Sequence, residues 1–355
     1  MHDKTARPLP LMLFALVSAS PLGLFALGLW AGGAWAFAGL VYMTVLTAML
    51  DQITGLFLGD APDGAEFPAA DALLVGLAVG HLAALPLIVW GVAGDSGLGG
   101  WQRAALFAGA GLWFGQVSNP MAHELIHRGS RGLFGLGVAV YTSLLFGHHA
   151  SAHWLVHHRH AASADDPNSA RAGEGFYRFF LRAWGGSFVK GWHEETALRA
   201  RSVSGKRAGR GLHPYAVYLG GAVLALAMAH ILAGGWGVVV WAGLALHAQM
   251  QLMLSDYVQH YGLTRARRQD GRLEPVAAHH SWNAPHWFSS ALMLHAPRHS
   301  DHHAHPARPY PALRLPGPDM APHLPWPLPV ACTLALVPPM WKRAIRPHLA
   351  KWRLA

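Results

Sequence analysis

Cysteine and charge are both scarce in this 355-residue sequence. Its single cysteine, Cys332, excludes a disulfide framework, a cysteine-based zinc site and a thiolate-held iron–sulfur cluster. Only 13% of the residues are charged and 52% are hydrophobic, whereas soluble domains carry about 25% charged residues. This balance excludes a disordered or nucleic-acid-binding tail. It indicates a membrane protein in which any metal has nitrogen or oxygen ligands.

Six apolar runs are long enough to cross a bilayer as helices, which takes roughly 20 residues each. They cover residues 9–30, 34–50, 72–92, 104–122, 215–232 and 238–257. The glycine-rich turn 233–237 between the last two predicts an antiparallel helical hairpin. We therefore predict one all-α, polytopic membrane domain over residues 1–355, with about six transmembrane helices.

The distribution of lysine and arginine predicts the orientation of these helices. Lys4 and Arg7 precede the first run, and residues 128–210 hold twelve Lys or Arg, whereas the loops 93–100 and 233–237 hold none. Positive residues mark the cytoplasmic side of a membrane. We expect a protein of the bacterial inner membrane whose termini are cytoplasmic, with a cytoplasmic cap formed by residues 123–213 and 258–327.

Histidine is the residue present in excess. There are 25 histidines, more than the 18 acidic residues, and the net charge is +9 with histidine neutral. Eight lie between His123 and His160 and ten between His247 and His305. The seven scattered histidines fit ordinary core or surface roles, but clustering of the other eighteen indicates metal ligation.

Nine of the eighteen clustered histidines fall in four motifs. His123 and His127 are four residues apart where the fourth run ends, and His153 and His157 repeat this spacing, with His158 adjacent. Residues i and i+4 share one face of a helix, so both imidazoles of each pair can reach one metal. The other two motifs are His260, just past the sixth run, and His299-Ser300-Asp301-His302-His303.

The strongest signal is that all four motifs fall at one predicted membrane face. The first motif alone resembles that of zinc metalloproteases, with Glu124 as base, but that function leaves the other motifs unexplained. Nine histidines exceed the coordination of one ion and suffice for two, and imidazole suits iron, copper, zinc and nickel. A histidine-rich membrane metal carrier is the alternative from a different class.

Shared ligation constrains the apolar segment 133–146. If this segment crossed the bilayer, His127 and His153 would lie about 30 Å apart, which is the thickness of the hydrocarbon core. We therefore predict that it does not span the membrane. The roles of His148, His149 and His160 stay open at this point, and the first two are alternatives to His153 as ligands.

These motifs resemble the membrane-bound non-haem di-iron family within the fatty acid desaturase and hydroxylase superfamily. Further matches favour its alkane 1-monooxygenase branch, and the resemblance runs from His123 to the C-terminus. They are Asp166-Pro167-x-Ser169-Ala170-Arg171, His260-Tyr261-Gly262-Leu263, His280-Ser281-Trp282-Asn283, Arg298-His299-Ser300-Asp301-His302-His303-Ala304 and Ala335-Leu336-Val337-Pro338-Pro339-x-Trp341.

The resemblance implies a di-iron enzyme that hydroxylates the terminal methyl of medium-chain alkanes with dioxygen. It implies electrons from NADH through an external reductase and a small acidic carrier, rubredoxin or ferredoxin. A xylene- or toluene-type methyl monooxygenase is the neighbouring alternative. The iron ligands that the family resemblance implies are His123, His127, His153, His157, His158, His260, His299, His302 and His303.

The sequence departs from the family at two positions. The family commonly has glutamate before the histidines at 153 and 260, where this chain has Ala152 and Gln259. Carboxylates beside metal-bound imidazoles fix their tautomer and orientation. We expect Glu124 and Asp301 to take that role here.

Overall fold

The computed structural model describes residues 9–53, 59–204 and 211–353, and within them every element is helical apart from two isolated β-bridges. Lys4, Arg7 and residues 205–210, which contribute to the predicted orientation, lie outside the described residues. The predicted all-α class is confirmed. In chain order the helices are α1 Leu11–Ala31, α2 Gly33–Leu50, α3 Ala70–Ala93, α4 (Gly100–Trp113, a π-helical turn Phe114–Ser118, and Asn119–Ile126), α5 Arg131–Ser143, α6 (His149–Ala152, a π-helical turn His153–His157, and His158–His160), α7 Phe176–Ser204, α8 Pro214–His260, α9 Trp287–Leu292, α10 His299–Ala304, α11 Leu328–Ala335 and α12 Pro338–Arg353.

Helices α1, α2, α3 and α8 are long and apolar enough to cross a membrane, by length and composition. The six predicted apolar runs fall on these helices and on α4, with two of them on α8. Large apolar side chains on α8, such as Leu224 and Ile231, are more than 70% exposed. Exposed apolar surface of this kind fits contact with lipid, so the helices fit a membrane protein.

Helix α8 folds back on itself. Ala233 and Gly234 have non-helical backbone angles, and Gly234 has φ +60°, a conformation that glycine adopts without steric cost. A Cβ added at Gly237 would overlap the carbonyl oxygen of Ala229, eight residues earlier, which only a reversal of the chain permits. The predicted hairpin is therefore confirmed, and α8 consists of limbs 214–232 and 235–260.

Gly237→Ala is expected to destabilise the protein by about 1–3 kcal/mol, because the added methyl group overpacks the contact with the Ala229 carbonyl. Gly235→Ala is the matched control, since no atom lies within 4 Å of a Cβ built there. Thermal unfolding of both variants in detergent measures the difference. Equal Tm values would contradict the close packing of the two limbs.

Helices α5 and α6 leave the end of α4 and return to it. Tyr141 of α5 donates a hydrogen bond of 3.1 Å to the carbonyl oxygen of Asn119, so α5 runs back along α4. Helix α6 then reverses again, and the Nε2 atom of His153 lies 3.1 Å from that of His127. This return is what a non-spanning segment 133–146 requires; its depth in the membrane stays a prediction.

Helix α7 lies across the second limb of α8, within the region predicted as the cap. The rings of Phe176 and Phe179 meet Tyr257 edge-on, at centroid distances of 5.7 and 5.2 Å. Trp184 Nε1 donates to Gln249 Oε1 at 2.9 Å. These contacts hold the end of α8, and with it His260, against α7.

Candidate metal centre

Four helix segments bring the nine predicted histidines together. The end of α4 supplies His123 and His127, α6 supplies three histidines, the end of α8 supplies His260 and α10 supplies three more. Seven of the nine side chains are buried, and the other two, His123 and His158, are partly buried. The nine fall into two groups, each with ring nitrogens within 4.8 Å of one another.

The five-histidine cluster consists of His123, His127, His153, His158 and His302. The Nε2 atom of His153 is central: it lies 2.7 Å from that of His123, 3.1 Å from that of His127 and 2.9 Å from that of His158. His302 closes the group, with its Nε2 atom 3.3 Å from that of His158. All five rings thus point one nitrogen at a common centre.

The four-histidine cluster consists of His157, His260, His299 and His303. The Nε2 atom of His299 lies 2.9 Å from that of His260 and 3.0 Å from that of His303. The His157 ring packs edge-on against both His260 and His303, at 4.9 and 4.8 Å. The sequence motifs did not predict how the nine residues divide between two groups.

Two pairs of consecutive histidines join the clusters. His157 belongs to the four-histidine cluster and His158 to the five-histidine cluster, and the pair His302 and His303 is divided in the same way. Neighbouring residues of a helix point about 100° apart. A helix that passes between two centres can therefore supply one ligand to each from adjacent positions.

The hydrogen-bonding capacity of the imidazoles fits a bound cation. A neutral imidazole carries one N–H, so converging Nε2 atoms cannot all be satisfied by bonds to one another. The Nε2 atom of His157 and the Nδ1 atoms of His127, His153, His260, His302 and His303 are buried without a partner among the described residues. Protons on these Nδ1 atoms would leave the Nε2 lone pairs facing inward, which is the arrangement of metal ligands.

Asp166 orients one of the nine rings, and we did not assign it this role from the sequence. Its Oδ2 atom accepts hydrogen bonds from His157 Nδ1 at 2.9 Å and from Ser169 Oγ at 2.7 Å. Burial alone would raise the pKa of Asp166, but the interactions with His157 and Ser169 outweigh it and the pKa lies below its usual value. The ionised carboxylate thus turns His157 Nε2 toward its cluster. The matching motif Asp166-Pro167-x-Ser169 was the available signal.

Glu124 and Asp301 have other partners. The Oε2 atom of Glu124 accepts from the backbone N–H of Tyr310 at 3.2 Å and pairs with Arg128 at 3.3 Å. Asp301 accepts from His305 at 3.0 Å and pairs with Arg308 at 2.5 Å. Among the hydrogen bonds of the described residues, neither carboxylate contacts one of the nine imidazoles, so their orienting role stays a prediction without a supporting contact.

The three histidines whose roles the sequence leaves open, His148, His149 and His160, lie outside both clusters. His148 packs among Phe146, Trp184 and Phe188, and His149 stacks on Phe146 at 5.3 Å. His160 also belongs to neither group.

The two positions that depart from the family contribute no carboxylate to the site. Gln259 donates from its amide to the carbonyl oxygen of Ala296 at 3.0 Å and accepts from Ser255 at 2.8 Å. Ala152 packs against Gly191 of α7, which leaves little room for a longer side chain.

A third group, Glu274, His279 and His280, also brings metal-binding side chains together. Its internal bonds explain it without an ion. His280 accepts from the backbone N–H of Ala277 at 2.9 Å and donates to Glu274 at 3.1 Å, so both of its ring nitrogens are used.

A cavity of about 730 Å³ adjoins both clusters. His123, His153 and His302 of the five-histidine cluster and His299 of the four-histidine cluster lie in its wall. Most of the remaining wall is aliphatic and comes from α2, α4, the second limb of α8 and α11; it includes Met43, Leu112, Met250, Leu254, Leu328 and Leu334. Such a cavity favours an apolar ligand.

The fold and site define a class: an all-helical membrane protein with two adjoining histidine clusters, suited to metal binding, beside an apolar cavity. Sequence comparison gives the family. The sequence model described as Fatty acid desaturase matches residues 99–331, so the chain belongs to that family and the resemblance inferred from the motifs is confirmed.

Curated relatives narrow the resemblance. Alkane 1-monooxygenase from Ectopseudomonas oleovorans is 34% identical over 284 residues, which cover 77% of this chain and 66% of the relative. Alkane 1-monooxygenase 1 from Pseudomonas aeruginosa is 34% identical over 252 residues, 70% and 65% of the two chains. Alkane 1-monooxygenase 2 from the same organism is 28% identical over 313 residues, 86% and 81%. The chain thus spans just under two thirds of the length of the first two relatives.

Proposed function

We propose that this protein is an alkane 1-monooxygenase that hydroxylates the terminal methyl of medium-chain alkanes with dioxygen. The observation that carries the proposal is the cavity, because one apolar space meets residues of both histidine clusters. The names and identity of the curated relatives support the same activity. A metal carrier would have no use for an apolar cavity that ends at its ligands.

We further propose that the nine histidines hold two iron ions. The five-histidine cluster would bind one ion and the four-histidine cluster the other. When bound, the irons would supply the reduction of dioxygen and the oxidation of the carbon–hydrogen bond. The ligands are nitrogens, which suit iron, and the family membership supports this choice.

The protein's own side chains would bind and orient the substrate. The aliphatic wall from Met43 to Leu334 replaces water around the hydrocarbon chain, which stabilises its burial by about 0.8 kcal/mol for each CH₂ group. With His123 and His299 in the cavity wall, a terminal methyl, the narrowest part of the chain, would point at the clusters. Asp166 would hold His157 in its ligating tautomer.

The partners and location are part of the proposal. Electrons would come from NADH through an external reductase and a small acidic carrier, rubredoxin or ferredoxin. The net charge of +9 would favour encounter with an acidic protein. We place the enzyme in the bacterial inner membrane with its histidine clusters on the cytoplasmic side, as the positions of Lys and Arg in the sequence indicate.

Anaerobic loading of the purified chain with ferrous iron, followed by a reductase, a carrier, NADH, dioxygen and octane, is expected to yield 1-octanol. Metal analysis is expected to give about two irons per chain. Xylene in place of octane tests the methyl-aromatic alternative. Tightly bound zinc, no hydroxylation of either hydrocarbon, and metal transport into vesicles would reject the enzyme and support a carrier.

A further inference from the structure

One wall of the apolar cavity carries a row of polar side chains. His247, Gln251, Ser255 and Gln259 are spaced by four residues along the second limb of α8, and all four line the cavity. Residues four apart share one helix face. A purely aliphatic substrate needs no such row, and polar side chains within a membrane-spanning helix mark functional sites.

Two glycines of α4 make room for this row. A Cβ at Gly111 would overlap the ring of His247, and one at Gly115 would overlap the side-chain amide of Gln251. Gln251 uses this space to donate from Nε2 to the carbonyl oxygen of Gly111 at 2.8 Å. The bond fixes which way the amide points, so that Gln251 Oε1 faces Gln116.

Gln116, in the π-helical turn of α4, ends the network with an unused acceptor. Its Nε2 atom donates to Gln251 Oε1 at 3.3 Å, and its Oε1 atom is buried without a partner among the described residues. The side chain is 8% exposed and lines the cavity. A buried amide oxygen without a donor is costly, and it selects a ligand that carries an O–H or N–H group.

The distance from Gln116 to the histidine clusters suits the length of a medium-chain molecule that contacts both. Gln116 precedes His123 by seven residues on α4, which is about 10 Å at a rise of 1.5 Å per residue. The same cavity is lined by aliphatic side chains of α2, the second limb of α8 and α11. The cavity wall thus holds a hydrogen-bond acceptor about two helical turns from the candidate metal centre.

We propose that the cavity also binds medium-chain primary alcohols, with the hydroxyl on Gln116 Oε1 and the opposite methyl at the histidine clusters. This inference rests on the proposed monooxygenase function. The product would be an α,ω-diol. One carbon–hydrogen bond of the methyl is replaced by a carbon–oxygen bond, and the second oxygen atom of dioxygen leaves as water. Two electrons from the carrier and two protons from water complete the balance.

The test measures the rates at which the iron-loaded chain hydroxylates octane, 1-octanol and 1-methoxyheptane. The ether matches the alcohol in length but cannot donate a hydrogen bond to Gln116. We expect 1,8-octanediol to form from 1-octanol faster than the ether is hydroxylated at its far methyl. In Gln116→Leu, the rate of diol formation relative to octane hydroxylation should fall about tenfold, because the hydroxyl loses its acceptor. Gln251→Leu should act in the same direction.

Gln52→Leu is the matched control. Gln52 lies outside the cavity and its amide donates to the carbonyl oxygen of Ala48. The rate of diol formation relative to octane hydroxylation should therefore equal that of the unmodified protein. Two results would overturn the inference and leave the proposed function intact. The first is that octane is hydroxylated while the alcohol and the ether react at equal rates. The second is that Gln116→Leu leaves the rate of diol formation relative to octane hydroxylation unchanged.

Binding provides a readout that does not depend on turnover. In nanodiscs, 1-octanol should raise the unfolding temperature of the unmodified protein more than that of Gln116→Leu, whereas 1-methoxyheptane should affect both equally. If octane is not hydroxylated but this difference is present, the proposed function fails and the alcohol site stands. Equal shifts with the alcohol would reject the site.

Discussion

His299→Ala is expected to lower octane hydroxylation by more than about a hundredfold and to remove about half of the bound metal. Loss of a residue that only orients a ligand costs about 10–100-fold, and loss of a ligand should cost more. His299 belongs to the four-histidine cluster, which would keep only three nitrogens. His302→Ala should lower activity to a similar extent because it removes a ligand, but the five-histidine cluster would keep four nitrogens and should retain its ion.

Elemental analysis of the two purified variants measures this asymmetry. His305→Ala is the matched control, because His305 follows the same helix, is about half exposed and belongs to neither cluster. It should keep both metal and activity. Equal metal loss in His299→Ala and His302→Ala would contradict the division of the nine histidines into groups of five and four.

Asp166→Asn is expected to lower iron affinity or hydroxylation by about 10–100-fold. An asparagine cannot accept from His157 Nδ1 and Ser169 Oγ through the same atom while also accepting from the backbone N–H of Asn168, as the carboxylate does. His157 would then lose the partner that fixes its tautomer. Titration of the metal-free variant with ferrous iron, followed by activity at saturating iron, separates the two effects.

Asp165→Asn tests whether any loss is specific to the carboxylate at 166. Asp165 is adjacent and about half exposed, and its carboxylate pairs with Arg267 at 2.6 Å. Removal of an exposed ion pair changes stability by about 0–1 kcal/mol, so affinity and turnover should be unchanged. A comparable loss in both variants would assign the effect to the loop rather than to His157.

The histidine framework was predictable because metal ligation leaves a periodic trace in the sequence. Spacings of three and four residues marked three of the four histidine motifs, and the resemblance to the family added His260 to complete the nine residues that the structure groups together. The division into two clusters depends on how helices from distant parts of the chain cross, and no local spacing encodes that. Asp166 was missed for a related reason: it reaches His157 from a loop, where helical periodicity gives no guidance.

The apolar runs predicted helices more reliably than they predicted interruptions within them. The hairpin at 233–237 was predictable because its glycines break an apolar run that is too long for one span. The π-helical turn in α4, which contains the cavity-lining Gln116, has no comparable signal in the residues 114–118. Helix α7 was also missed, since its apolar side chains are interspersed with charged ones and form no run of spanning length.

Because the consecutive histidines at 157–158 and 302–303 are divided between the two centres, the geometry of both centres depends on the same two helices, α6 and α10. A rotation of α6 or α10 by one residue would move a nitrogen out of one centre and bring the wrong ring toward the other. Neither centre can therefore be assembled while the other is misaligned. Insertions or deletions in these helices should prevent the binding of both ions at once, even though replacement of a single side chain removes only one ion.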